Sequence, residues 1–527
     1  MRRIFWLVAL CALITCPAPV LAQDTDRPPP VRSAADRLRN TTAGEIEENW
    51  ARAPVAETEV TTSHSIQAHG RTLRYKATAG TLTIRNDDGM PTASLFYTAY
   101  TLDGQASAGR PVTYLYNGGP GSPTVWLHMG SFGPMRVQTD EPTVVRPAPF
   151  AFGPNDMTLL DQTDLVFIDM VGAGYSRPLG ATPGSSFWGV DQDADAFARA
   201  ILRYTTKNSR WSSPKYIIGE SYGTLRTGAV AFQLEDRGMS LNGVILLSSI
   251  MNYGVRQPGY PQNYVILLPT YAAAAWYHHK IANPPADVET QVARARAFAL
   301  GPYASALAKG SMISAAERAD IVRQMSELIG ISPAFIDNAN MRIGLSAFRK
   351  ELLRDRRQTI GRLDMRYLGI DADAAGDAPE EDPSSSAVTG AYVSVFNDYV
   401  ANTLNYHTDM NYRMSARGPG FEWDWNHRPP VGGPQTTPNT AIDLATAMRR
   451  NPYLKVLSLN GYYDSATPFL STEFDLAQMM LEPQLQRNLE FTYYEGGHMM
   501  YLSHPALVAL HGDLVRFYAE TVNGGAR

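Results

Sequence analysis

Lys215-Tyr216-Ile217-Ile218-Gly219-Glu220-Ser221-Tyr222-Gly223 is a short apolar run closed by Gly-x-Ser-x-Gly, and a helical pattern follows from Thr224 to about Leu234. A strand that turns at once into a helix lifts the middle side chain out of its sheet. Only glycines leave room for the contacts of so sharp a turn. The helix begins at the serine, so its unbonded N–H groups face any negative charge forming there. The stretch reads as a nucleophile elbow. Taken alone it suits a buried serine between two glycines equally well, so the rest of the chain must decide.

Strand-length apolar runs recur along the chain at Val112–Tyr116, Leu165–Ile168, Tyr216–Ile218, Val244–Leu247, Leu454–Leu459 and Leu489–Tyr493. Runs apolar on both faces and separated by helical stretches predict a mostly parallel central sheet flanked by helices, an α/β class. In such sheets functional groups gather past the carboxyl ends of the strands. Five of the six ends carry glycines with a polar or charged side chain: Asn117–Ser122, Asp169–Ser176, Gly219–Gly223, Asn460–Asp464 and Glu495–His498. Before them, Glu57 to Leu102 alternates polar and apolar residues around the turn Asn86-Asp87-Asp88-Gly89, which predicts antiparallel strands at the start of the sheet. The last helix, about Pro505 to Glu520, is expected to pack back on it.

A serine hydroxyl needs a base, and the base needs an orienting carboxylate. Of ten histidines, His498 alone follows an apolar strand and two glycines; packing or surface roles are the default for His278, His279, His504 and His511. Asp464 follows the preceding strand. The chain order Ser221, Asp464, His498 is that of α/β-hydrolases. Asn117–Ser122 lies at an early strand end, where such sheets place half of an oxyanion hole, which assigns the hole to the N–H groups of Gly119 and Tyr222. A phosphate loop is disfavoured, since no Gly-Lys-Ser/Thr follows and Pro120 removes a donor. No His-Glu-x-x-His occurs, and no metal or other cofactor is expected.

Tyr116-Asn117-Gly118-Gly119-Pro120-Gly121-Ser122, Gly219–Gly223, Asn460-Gly461-Tyr462-Tyr463-Asp464 and Gly497-His498-Met499 together resemble the four motifs of the serine carboxypeptidase family, in matching order between about Leu95 and Leu502. The resemblance implies an α/β-hydrolase fold and removal of carboxyl-terminal residues from peptides through an acyl-enzyme. It implies Ser221 as nucleophile, His498 as proton shuttle and Asp464 as its orienter. It also implies that Asn117, Glu220 and the Gly118 N–H hold the substrate's free carboxylate, with Glu220 protonated so that it can donate. Four departures stand out. The Asp169–Ser176 loop is one residue short, Leu115 replaces the family's Trp, Ser122 replaces its Cys, and Met500-Tyr501 replaces Val/Ile-Pro. An esterase or acyltransferase on the same scaffold, and a non-catalytic envelope binding protein, are the rival readings.

The remaining segments set the domain plan. Met1-Arg2-Arg3 and the apolar run Ile4–Leu13 read as a leader, residues 1–22, removed before Gln23. Both cysteines, Cys11 and Cys16, fall inside it, which leaves no disulfide or thiolate chemistry to the exported chain. A membrane anchor is disfavoured by the short run, and lipid attachment at Cys16 by the Thr15 before it. Residues 23–56 read as a tether. Residues 57–251 and 440–527 read as two parts of one core, interrupted by a mainly helical cap at 252–439. Within the cap, Ala286–Leu300, Ser314–Ile329 and Ile343–Arg357 have helical spacing, Asp371–Ala387 reads as a mobile acidic loop, and Phe421-Glu422-Trp423-Asp424-Trp425 suits a cleft wall or cap packing. Net charge is −5 with no basic patch, so no nucleic-acid partner is expected. The expected partner is a peptide with a free carboxyl terminus, met in the periplasm or outside the cell, with no stable membrane span. Side-chain preference and oligomeric state are not legible.

Overall fold

The computed structural model describes residues 53–139, 142–257, 259–418 and 420–523. The expected leader and most of the tether lie outside the described residues.

Among the described residues the main sheet has nine strands in one path, with the two-residue strand Arg177–Pro178 pairing off it. We number the nine β1 (Glu59–Ala68), β2 (Arg71–Arg85), β3 (Pro91–Leu102), β4 (Val112–Tyr116), β5 (Asp164–Ile168), β6 (Lys215–Ser221), β7 (Gly243–Ser249), β8 (Lys455–Gly461) and β9 (Leu489–Tyr494). The spatial order is β1-β2-β3-β5-β4-β6-β7-β8-β9. The first three are an antiparallel meander that joins β5 antiparallel, and β5 to β9 run parallel. Each of the six apolar runs is a strand, within three residues at each end.

Period-two alternation sends side chains of the parallel strands to opposite faces. Leu115, Tyr216, Ile218, Ile245 and Leu457 enter one core, which the carboxyl-terminal helix covers with Leu510, Leu514 and Phe517. Tyr114, Tyr116, Ile217, Val244 and Val456 enter the other, under α1 (Val190–Lys207) and α2 (Tyr222–Asp236). A sheet buried on both faces needs apolar residues at nearly every position, which is why these strands read as continuous runs.

Between β7 and β8 the chain adds no described strand to this sheet. It forms helices at Val288–Phe298 and Ala315–Ile329, close to the expected spans, a shorter one at Leu345–Glu351 that ends six residues before the expected Arg357, and its own apolar core. Asp371–Ala387 departs from the expected mobile loop. Lys350 pairs with Asp371 in the interior and donates to the Asp373 carbonyl at 2.5 Å, and Arg354 holds the carbonyls of Ala374 and Gly376. From Pro383 the segment is already helix, capped by Asp382. Proline at the first helical position and aspartate before it are start signals, and buried basic partners outweigh the acidic composition.

Candidate active site

Ser221 closes β6 with φ 61° and ψ −133°, and α2 starts at the next residue. This is a strained backbone for a residue with a side chain. The flanking glycines make it possible. A Cβ at Gly219 would lie 2.3 Å from Thr227 Oγ1, and one at Gly223 would lie 3.0 Å from the Tyr116 carbonyl. Thr224 Oγ1 donates to the Ser221 carbonyl at 2.7 Å, fastening the turn.

The ends of β4, β6, β8 and β9 meet around one cavity of about 270 Å³. Ser221, His498, Glu220, Asn117, Gly118 and Gly119 all line it. Asp464 stands behind His498, with Oδ2 2.8 Å from Nδ1. That carboxylate is fixed from every side, since Oδ1 accepts the N–H groups of Ala466 and Thr467 and Oδ2 accepts Thr467 Oγ1 at 2.6 Å. The imidazole's backbone is pinned as well: its N–H donates to the Leu363 carbonyl and its carbonyl accepts Ser248 Oγ. Burial disfavours the imidazolium, but the charge and hydrogen bond of Asp464 outweigh it, and the pKa of His498 is raised.

Gly118 packs against the elbow so closely that a Cβ there would lie 2.4 Å from Tyr222 N and 2.5 Å from Gly223 N. Gly119 takes φ +113°, a conformation open to glycine. The Asn117–Gly119 backbone is therefore seated beside the start of α2, where N–H groups lack intrahelical acceptors.

Glu220 is buried, and desolvation pushes its pKa up to about 7 against the opposing pull of His498, Tyr501 and Asn117. Tyr501 donates to its Oε2 at 2.9 Å. Asn117 is oriented by its Oδ1, which accepts Leu127 N–H at 3.0 Å. Tyr501 occupies one of the positions that departs from the family pattern, and nothing in the sequence marks it as part of this group. Thr467 was missed for the same reason, because a threonine three residues after an aspartate has no distinctive pattern. Leu115, where the family has Trp, is fully buried in the core and does not reach the cavity lining.

Trp425 lines the cavity, whereas Trp423 is buried with its ring 5.2 Å from that of Tyr222. The aromatic stretch thus serves both expected roles. Asp169, in the shortened loop, accepts Thr124 N–H at 2.7 Å, and Gly174 is obligatory because a Cβ there would lie 1.8 Å from Asp169 Oδ2. Among the described residues one group of side chains is close enough to share a metal ion, His69, Asp161 and His511. It stands apart from the cavity lining, with His69 Nε2 on the Thr158 carbonyl and Arg71 on Asp161.

The model of the serine carboxypeptidase family matches residues 69–261, a span that holds the first two motifs. No curated protein matches the chain. Among solved structures, the prohormone-processing carboxypeptidase Kex1 of Saccharomyces cerevisiae aligns with a TM-score of 0.53 at 13% identity, over 85% of this chain and 91% of that one. A proline iminopeptidase of Mycobacterium smegmatis aligns at 0.36 and 12% identity, over 84% and 99%. The peroxisomal alpha-beta-hydrolase Lpx1 of Saccharomyces cerevisiae aligns at 0.33 and 11%, over 88% and 90%. The Kex1 likeness speaks for the fold, which is that of the α/β-hydrolases.

Proposed function

We propose that this chain, whose residues 69–261 match the serine carboxypeptidase family, removes carboxyl-terminal residues from peptides by acyl transfer through Ser221. Ser221 Oγ attacks the carbonyl carbon of the last peptide bond while His498 Nε2 takes its proton. Asp464 holds the Nδ1–H tautomer and stabilises the imidazolium. The N–H groups of Gly119 and Tyr222 receive the oxyanion. Collapse breaks the C–N bond, and His498 protonates the departing amine. Water then adds to the acyl-enzyme by the same route. Asn117, the Gly118 N–H and protonated Glu220 hold the free carboxylate of the substrate.

The observation that carries this reading is the shared cavity, in which Ser221 and the Asp464-bound His498 stand beside the Asn117/Glu220 pair. An esterase would need the first half of this constellation and not the second. The test is hydrolysis of an N-blocked dipeptide against its carboxyl-terminal amide. The free acid is expected to be favoured by about a hundredfold in kcat/KM, as for a charged group with dedicated donors. Equal rates would remove the carboxylate site and favour a general acyl hydrolase.

We further propose export with cleavage before Gln23, on the leader pattern of residues 1–22. The amino terminus of the mature protein, read by mass spectrometry, decides it; an intact Met1 in the isolated protein would refute it. Among the described residues no helix is long and apolar enough to cross a membrane.

A further inference from the structure

The charged groups that line the catalytic cavity are unbalanced. Arg256, Arg362 and Arg417 face one carboxyl, Glu220, and no other acidic residue is among the lining. Glu220 is itself largely uncharged on the acid side of its pKa of about 7. Guanidinium stays protonated throughout. The lining therefore holds more cationic than anionic side chains.

The three arginines are not equivalent. Arg417 is committed to the backbone, with Nε on the Pro120 carbonyl at 2.9 Å and Nη2 on that of Gly119 at 3.0 Å. Arg362 sits near His498, whose imidazolium it disfavours, and its own carbonyl accepts Ser465 Oγ. Arg256 is held by a single bond, Nη1 to the Ala466 carbonyl at 2.7 Å. Its Nε and Nη2 are buried with no acceptor among the described residues. Those two nitrogens form one edge of the guanidinium fork, the edge that binds a carboxylate with two parallel bonds. A buried cationic donor pair without an acceptor is costly, which marks a place where one arrives from outside. The carboxyl that feels its field, Asp475, does not bond it: Oδ2 accepts the N–H groups of Met251 and Asn252, Oδ1 has no partner among the described residues, and burial pushes its pKa up to about 7.

The position of Arg256 says which part of a substrate it meets. It ends the short turn Tyr253–Arg256, and the Tyr253 ring packs 4.6 Å from Trp425, which in turn lies 6.2 Å from the ring of Tyr222. Tyr222 follows the nucleophile. Tyr501, which bonds Glu220, belongs to the core on one face of the sheet, whereas Tyr253 and Trp425 pack against the core on the other face, with Tyr222. Resting on the carboxypeptidase reading, we propose that Arg256 selects peptides whose penultimate residue, the one acylating Ser221, carries a carboxylate side chain.

Four N-blocked dipeptides that differ only in that residue, Glu, Gln, Leu or Lys, test this with the full-length mature enzyme at about pH 6, where a Glu side chain is ionised. The wild type is expected to favour Glu over its isostere Gln by about tenfold in kcat/KM, the worth of a bidentate pair in a half-buried site. Arg256→Gln should bring the Glu/Gln ratio to about one, and Arg256→Glu should turn the preference toward Lys. Each ratio is internal to one protein, so partial loss of folded enzyme cancels. A wild-type Glu/Gln ratio of one or below overturns the proposal, as does a preference for Glu that survives Arg256→Gln. Cleavage of none of the four would strike the carboxypeptidase reading itself.

Discussion

At the scale of single residues, the proposed carboxylate site makes Glu220 and Tyr501 the groups that set its working range. A buried carboxyl with its pKa near 7 can donate to a substrate carboxylate only below that pH. Above it, Glu220 loses its proton and places a negative charge against the substrate. His498 titrates on every substrate alike, so the ratio of free-acid to amide hydrolysis isolates Glu220. That ratio is expected to fall as pH rises through about 7 and to be flat across the same range in Glu220→Gln; a flat wild-type ratio would contradict the assignment. Tyr501 stabilises the ionised form of Glu220 through its 2.9 Å bond. Tyr501→Phe should therefore move the fall in the free-acid to amide ratio to higher pH. It should leave the amide rate nearly unchanged. A matching loss on both substrates would make Tyr501 a packing residue only. Ser221, Asp464, His498 and Glu220 can be singled out in the sequence because each stands in or beside a short glycine-rich motif. Tyr501 cannot, because its hydroxyl reaches Glu220 from 281 residues away in the chain.

At the scale of elements, α2 is held in place by a charge inside the core. Arg226, on α2, is fully buried and pairs with Asp193 of α1 at 2.6 Å, while its Nη1 donates to the Asn117 carbonyl at 2.7 Å. Its guanidinium also lies 4.1 Å from the Phe197 ring centroid. One side chain thus ties the start of α2 to α1 and to the loop after β4, which together frame the cavity. Removing it leaves Asp193 buried without a counter-charge, so Arg226→Met is expected to cost about 3–5 kcal/mol in urea unfolding. Adding Asp193→Asn should restore part of that; no recovery in the double variant would contradict the pairing argument. Helix Gln262–Tyr277 shows what pattern reading misses. It is apolar nearly all round, with Pro269 inside it, so it carries no amphipathic period from which its span within the helical cap could be read. Helices with one wet face, such as Ala315–Ile329, were anticipated to within a residue.

At the scale of the whole molecule, the groups proposed for catalysis come from segments far apart in sequence, and the parallel sheet brings them to one edge. β4 supplies the loop with Gly119, β6 the serine, β8 the aspartate and β9 the histidine. Strand ends are the readable part of such a fold, because each parallel strand is an apolar run and five of the six have glycine-bearing punctuation after them. The insertion is less readable, since its contribution to the cavity comes from single side chains, Arg256, Arg362 and Trp425, whose neighbours in sequence give no hint of direction. The central claim is that this assembly makes Ser221 a nucleophile. It is tested by reacting the protein with a fluorophosphonate and locating the adduct by mass spectrometry. The account predicts one rapid adduct, on Ser221, absent from Ser221→Ala and slowed about a thousandfold or more in His498→Ala. Labelling of His498→Ala at the wild-type rate, or an adduct on another residue with Ser221 untouched, would contradict it.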